Sequence, residues 1–368
     1  MRPQAVDTMN LDIDDMRNTF FKISLSAGYH NAKYSVMQIM LMILACIRGK
    51  ESFEEGAKAP SAQTLRDRLV LNSEWLAHFH DCMWHLAEHL VQLLRRVQRR
   101  ISIDETHVPF FGHREKLNAL LAAKGLGRLV LGYRARTPGA TGSFGFLVVS
   151  LCCCKIRLPI AIWPIREGQP YEPWVEQILQ RLLALVPRAI VLADRGFGYT
   201  QFFLMLERLE ARYVVRLAVH SNTIKKKIER NQRRFAYWMT DRKTGEKAFL
   251  IVRVVCDSQG QRYVLATSEE QALLPTLLTW YGQRWDIENL FKDANRVLLP
   301  TSSRNPRMRL YCVVLSFFLY TLWQVGRLKR MLPKGISLRS FVKRILTALG
   351  KTMHCTVSQV GVIVHHPP

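Results

Sequence analysis

The chain has 368 residues, with Lys+Arg 53 against Asp+Glu 29 and a formal net charge of +24 at pH 7. That length suits two or three domains with ample chain for a core, and such a cationic surplus attracts phosphate backbones by releasing their counterions, so nucleic acid is the expected partner. The eight cysteines form no C-x-x-C pair and the N-terminus, Met1-Arg2-Pro3-Gln4, is charged where a signal sequence would be apolar; both argue against secretion and for reduced core thiols in an intracellular compartment.

Residues 1–98 read as helical. Ser35–Arg48 places Val36, Ile39, Met40, Ile43, Leu44 and Ile47 at the spacing of one helix face. After Pro60, Ser61 is an N-cap for a helix carrying Arg66 and Arg68, which fits either the recognition helix of a small helix-turn-helix unit or a member of a plain bundle. The helix expected from Ser73 to about Val97 aligns His78, Cys82, His85 and His89, but four ligands strung along one helix cannot wrap one ion, so this is a polar face rather than a metal site.

From about residue 100 the pattern changes to short apolar runs separated by Gly, Pro and Arg. Ile101–Ile103, Leu129–Tyr133, Phe144–Cys153 and Arg157–Trp163 read as strands of a mixed sheet. A helix at Glu172–Leu185 leads to the continuously apolar Ala189–Ala193, a central buried strand ending in Asp194, and a helix at Tyr199–Glu210 follows. Tyr213–Leu217, Phe249–Cys256 and Arg262–Thr267 are further strands. Lys225, Lys226 and Lys227, with Arg230, Arg233 and Arg234, form an intervening basic loop that either tracks DNA or is simply solvated. Helical periodicity runs from Gln271 through Glu288 to Asn295 and returns after Pro306. The apolar run Leu310–Val325, at sixteen residues, is short for a membrane span and reads as a buried helix.

Three acidic motifs stand out in this basic background: Ser102-Ile103-Asp104-Glu105-Thr106, Leu192-Ala193-Asp194-Arg195-Gly196-Phe197, and Tyr281-x-x-Arg284-x-x-x-Glu288. Phosphoryl transfer needs an attacking oxygen activated and a leaving oxygen stabilised, which two magnesium ions held by a few carboxylates accomplish. Asp104 and Asp194 follow strands, and Glu288 on a helix closes the site. Singly, each motif is ordinary: a strand-end Asp is usually a cap, and Arg284 with Glu288 at i, i+4 is usually a surface ion pair. Their order, placement and basic setting carry the joint reading.

These motifs resemble the DDE transposases of bacterial and archaeal insertion sequences, specifically insertion-sequence family four with its Y-R-E signature; Asp104-Glu105-Thr106 with Pro109-Phe110-Phe111-Gly112 also resembles archaeal-type relatives. The resemblance covers about residues 100–325. It implies an α/β fold: a ribonuclease-H-like mixed sheet core with a helical N-terminal domain and a β-rich insertion. The corresponding segments are 1–98 for DNA-end binding, 99–211 and 271–332 for the two parts of the core, 212–270 for the insertion, and 333–368 as a C-terminal region. It implies catalytic, metal-binding Asp104, Asp194 and Glu288, two Mg2+ ions for which Mn2+ substitutes, and cut-and-paste chemistry in the cytoplasm of a prokaryote, at the nucleoid. The partners it implies are double-stranded transposon ends and target DNA, bound by a homodimer with no membrane. Tyr281 and Arg284 are the expected phosphate contacts, joined by Arg195, Arg216 and the basic segment. Tyr263 takes the place of a strand aromatic that, in hairpin-forming relatives, meets a flipped base. The family's Lys seven residues after the Glu falls on Asn295 here, leaving Lys292 or Arg296 to supply that charge. A nuclease without strand transfer and a non-catalytic DNA-binding descendant are the alternatives.

Overall fold

The computed structural model describes residues 74–93, 99–123, 130–131, 138–153, 156–166, 170–299, 301, 306–328, 332–345 and 347. The expected helices before residue 74, with Arg66 and Arg68, lie outside the described residues. Those described fall into two compact units: Met83–Lys292, and a second unit formed by the chain on either side.

Within Met83–Lys292 nine strands form one mixed sheet: β1 (Arg99–Phe110), β2 (Val130–Leu131), β3 (Gly142–Cys153), β4 (Ile156–Pro164), β5 (Ile190–Ala193), β6 (Arg212–Arg216), β7 (Arg234–Thr240), β8 (Lys247–Cys256) and β9 (Arg262–Thr267). Their order is β2-β3-β1-β5-β6-β9-β8-β7, with β4 also on β3. β5 is parallel to β1 and β6, and the other pairings are antiparallel. Composition explains the arrangement. Every residue of β3 and β5 is buried, as continuous apolar strands covered on both faces must be. β7 alternates exposed with less exposed positions, as suits a one-sided edge strand.

The helices that follow or separate the strands include α1 (Glu74–Leu93), α2 (Arg114–Ala123), α3 (Glu172–Leu185), α4 (Thr200–Arg208), α5 (Asn222–Glu229), α6 (Leu274–Gly282), α7 (Trp285–Ala294) and α8 (Pro306–Leu328). α3 buries Val175, Leu179 and Leu182, the i, i+4, i+7 stripe of an amphipathic helix. α6 packs Leu277 and Tyr281 into a cluster with Ile190, Leu192, Val214, Val255 and Leu265, seating it on the sheet.

The mixed α/β sheet agrees with expectation, but four local readings need correction. The strand foreseen at Ile101–Ile103 continues to Phe110, because β3 pairs with it antiparallel along its whole length and supports its polar residues. The basic loop is helix α5, which buries Ile224. β7 was missed although Phe235–Met239 is an apolar run, because the basic residues before it were read as part of a loop. The single helix foreseen from Gln271 to Asn295 is broken at Gln283–Arg284, where Arg284 N–H donates to Tyr281 O at 3.0 Å and Asp286 N–H to Gln283 O at 3.1 Å, the three-residue spacing of a tight turn.

In the second unit, α8 contains the one described helix, Met308–Leu328, that is long and apolar enough to cross a membrane; most of it is buried within the protein. Thr321 donates to Phe317 O one turn back, and Trp323 donates to Ile336 O. Among the cysteines, Cys152, Cys153 and Cys312 are buried thiols, whereas Cys256 is exposed and is not the core thiol expected for it.

Candidate active site

The sheet brings the first two acidic motifs together by register. Parallel pairing of β1 with β5 ends at Ile103↔Ala193, and the next residues are Asp104 and Asp194. Asp194 caps a single 3-10 turn, Arg195–Phe197, by accepting from Gly196 N–H at 2.7 Å. A β-carbon at position 196 would stand 3.0 Å from that Asp194 oxygen, so glycine keeps the carboxylate seated. Phe197 anchors the turn below, its ring 5.4 Å from that of Phe202.

The third motif closes over them. Arg284, in the turn between α6 and α7 and 8% exposed, donates to Asp104 Oδ2 at 3.2 Å through Nη1 and to Glu288 Oε1 at 2.6 Å through Nη2. One planar guanidinium thus bridges two of the expected catalytic carboxylates. Asp104 also accepts from Glu105 N–H at 2.8 Å. Burial pushes the Asp104 carboxyl up to about 7; the Glu105 N–H and Arg284 oppose that rise, while Asp194 and Glu288 add to it. Arg284 holds its charge more firmly than usual: burial works against it, but Tyr281, Asp104 and Glu288 outweigh burial.

Among the described residues no three His, Cys, Asp or Glu side chains stand close enough, as placed, to hold a metal ion. The donor chemistry nevertheless suits a hard divalent cation: three carboxylates whose mutual repulsion shows in Asp104, with Arg284 as their present counter-charge.

The other expected residues are distributed as follows. Tyr281 is buried in the core cluster, with Arg284 5.6 Å over its ring. Arg195 and Lys292 are exposed. Arg216 lies 5.2 Å over the Tyr263 ring, and Tyr263 is half-buried, has its ring 5.7 Å from that of Tyr281 at a tilt of 53°, and donates to Asp257 at 3.2 Å. Lys225 and Lys226 face solvent, but Lys227 lies across Phe235 at 5.0 Å. Asn295 and Arg296 belong to the second unit, Arg296 pairing with Asp293 at 3.5 Å.

Sequence reading missed Asp286. It is gripped by Arg100 at 3.1 Å and Arg157 at 3.0 Å, partners 186 and 129 residues away, and no local signal marks it. It also missed two exposed tryptophans, Trp285 beside Arg284 and Trp238 tilted against Phe249 at 5.0 Å.

A mixed sheet that delivers acidic residues from two adjacent central strands, faced by a helix bearing a third, defines the ribonuclease-H-like class. The transposase DDE domain family matches residues 95–308, more than half of the chain. The chain belongs to that transposase family. Among solved structures, it is similar to the piggyBac transposase synaptic complex with hairpin DNA, at 12% identity and a TM-score of 0.54, covering 95% of this chain and 79% of that one. At that identity the likeness establishes the fold alone. No curated protein sequence matches the chain.

Proposed function

We propose that this protein is a cut-and-paste DNA transposase of the insertion-sequence group with the Y-R-E signature, related to archaeal-type members, and that Asp104, Asp194 and Glu288 are its catalytic carboxylates. One observation carries the reading: Asp104 and Asp194 follow the last parallel pair of two adjacent strands, and one guanidinium, that of Arg284, joins Asp104 to Glu288, although the three carboxylates lie far apart in sequence. Family membership and the +24 charge agree with it.

In this reading the three carboxylates would hold two Mg2+ ions, with Mn2+ substituting. Ions bound there activate the attacking oxygen and stabilise the leaving one. The chain's own residues do the rest. Arg284 offers N–H groups to a phosphate once its carboxylate partners are otherwise engaged. Buried Tyr281 fixes the turn that presents Arg284. Arg195, exposed beside Asp194, and Lys292 on the last turn of α7 add positive charge for the DNA backbone. Hydrolysis frees a 3′-OH at the transposon end; that oxygen attacks the opposite strand to leave a hairpin end, and after hairpin opening it attacks target DNA. Residues 1–98, with Arg66 and Arg68, recognise terminal repeats, and pairing two ends calls for a homodimer. The setting is prokaryotic cytoplasm, at the nucleoid.

Incubating the protein with Mg2+, labelled ends taken from the DNA flanking its gene, and a plasmid tests this. Joined products are expected. Cut ends alone indicate a nuclease without strand transfer, and shifted but intact DNA indicates a non-catalytic binding protein.

A further inference from the structure

β1 presents alternate residues to one face, so Arg100, Ser102 and Asp104 form a row along the strand. Across the sheet, Arg100 is opposite Cys152 of β3, and Cys152 is opposite Arg157 of β4. These three neighbours form a second row, at right angles to the first. Asp286 lies over it, taking Arg100 on one carboxylate oxygen and Arg157 on the other. Arg100 is 7% exposed, Asp286 17% and Arg157 19%, so the group is largely withdrawn from water.

Asp286 sits in the first turn of α7, two residues before Glu288. Two residues along a helix rotate the side chain by about 200°, so Asp286 points down to the sheet while Glu288 faces the site. The turn containing Arg284 and Asp286 is therefore tied to β1 at two points, Arg284 at Asp104 and Asp286 at Arg100. Those points are four residues apart on the strand, about 13 Å. Buried Ile287 and Leu290 seat α7 by apolar packing, which is not directional, and two polar attachments this far apart add a fixed direction along the strand. Removing one partner of such a buried group leaves uncompensated charge, so the two arginines enforce the position of Asp286.

We infer that Asp286, held by Arg100 and Arg157, is a positioning residue that sets the orientation of α7 and thereby aims Glu288 at Asp104 and Asp194. The inference rests on the transposase reading above and adds a residue that touches neither DNA nor the reacting atoms.

Asp286→Asn tests it on the full chain with labelled end DNA. End binding should stay within about twofold of wild type, while the cleavage rate falls and the Mg2+ concentration for half-maximal rate rises, each about 10–100-fold. Mn2+ affinity measured by calorimetry without cleavage should fall in parallel, and Asp286→Glu should recover part of both losses. Because loss of the carboxylate charge between two largely buried guanidinium groups can unfold the Asn variant, an apolar replacement (Arg100→Met, Arg157→Met, Asp286→Leu) provides a second route: it should remain folded yet show the same raised metal requirement. A folded variant with wild-type cleavage rate and metal requirement overturns the inference. Failure of both variants to fold also overturns it, making the group a folding element. A wild type that neither cleaves nor binds Mn2+ instead defeats the transposase reading itself.

Discussion

Asp104 and Asp194 are the residues immediately beyond the last parallel pair, Ile103↔Ala193, so two adjacent central strands place both carboxylates at the same level of the sheet. The apolar residues before them are fully buried and fix that level, since Ile101, Ile103, Val191 and Leu192 cannot slip register without exposing their side chains. Arg284 then draws Glu288 towards Asp104.

The burial of Asp104 has a cost that pH reveals. The Asp104 carboxyl is raised from 3.8 to about 7, chiefly by burial. Between those values the folded protein retains a proton that the unfolded chain has released, so metal-free stability should fall as pH rises through that window and stay lower above it. Asp104→Asn should accordingly melt higher than wild type at pH 8, by roughly 5 °C, with little difference near pH 4. Calorimetry of both proteins in chelator checks this.

Arg284→Ala leaves Asp104 and Glu288 without their shared counter-charge. The metal-free protein should lose about 3 kcal/mol of stability, as when one partner of a buried ion pair is removed. Added Mg2+ should recover more stability in the variant than in wild type, which denaturant titrations with and without Mg2+ would show. Arg284→Lys, with a single ammonium, should replace only one of the two contacts.

The basic segment is helix α5, and its three lysines are not equivalent. Lys225 and Lys226 are exposed, whereas Lys227 covers Phe235 and reaches Ala236 O at 3.5 Å. Neutralising Lys225 and Lys226 together should reduce the slope of log affinity against log salt by up to about 2 if both meet phosphates, and Lys227→Gln should change it less. An unchanged slope for the double variant makes this helix a solvated surface.

Tyr263 combines a hydrogen bond to Asp257, an Arg216 guanidinium over its ring and an aromatic neighbour, Tyr281. If its ring also stacks an extruded base, Tyr263→Ala forfeits roughly 1–3 kcal/mol of stacking at the hairpin step. First-strand nicking should then persist while hairpin ends decline, and Tyr263→Trp should keep them; denaturing gels separate the products. Loss of nicking together with folding would make Tyr263 a core residue only.

What could be read from the sequence follows from where the signal resides. The buried strand before Asp194 and helix α3 rest on apolar patterns of short range, and both elements stand where expected, although α3 buries Val175 and Leu179 rather than Trp174 and Ile178. The strand leading to Asp104 was legible, but its continuation was not, because Glu105, Thr106 and His107 are strand residues only by virtue of β3 alongside. The break at Gln283–Arg284 was hidden for a similar reason: helical periodicity persists on both sides of it. Asp286 was illegible altogether, since its partners are brought together by topology alone.

The most direct test of the central claim is cleavage of end-labelled DNA in Mg2+ by Asp104→Asn, Asp194→Asn and Glu288→Gln beside wild type. Each substitution removes a carboxylate charge and leaves the basic surface in place, so each variant should bind ends as wild type does and fail to cut. Near-normal cutting by any one of them would remove that residue from the catalytic set and contradict the account.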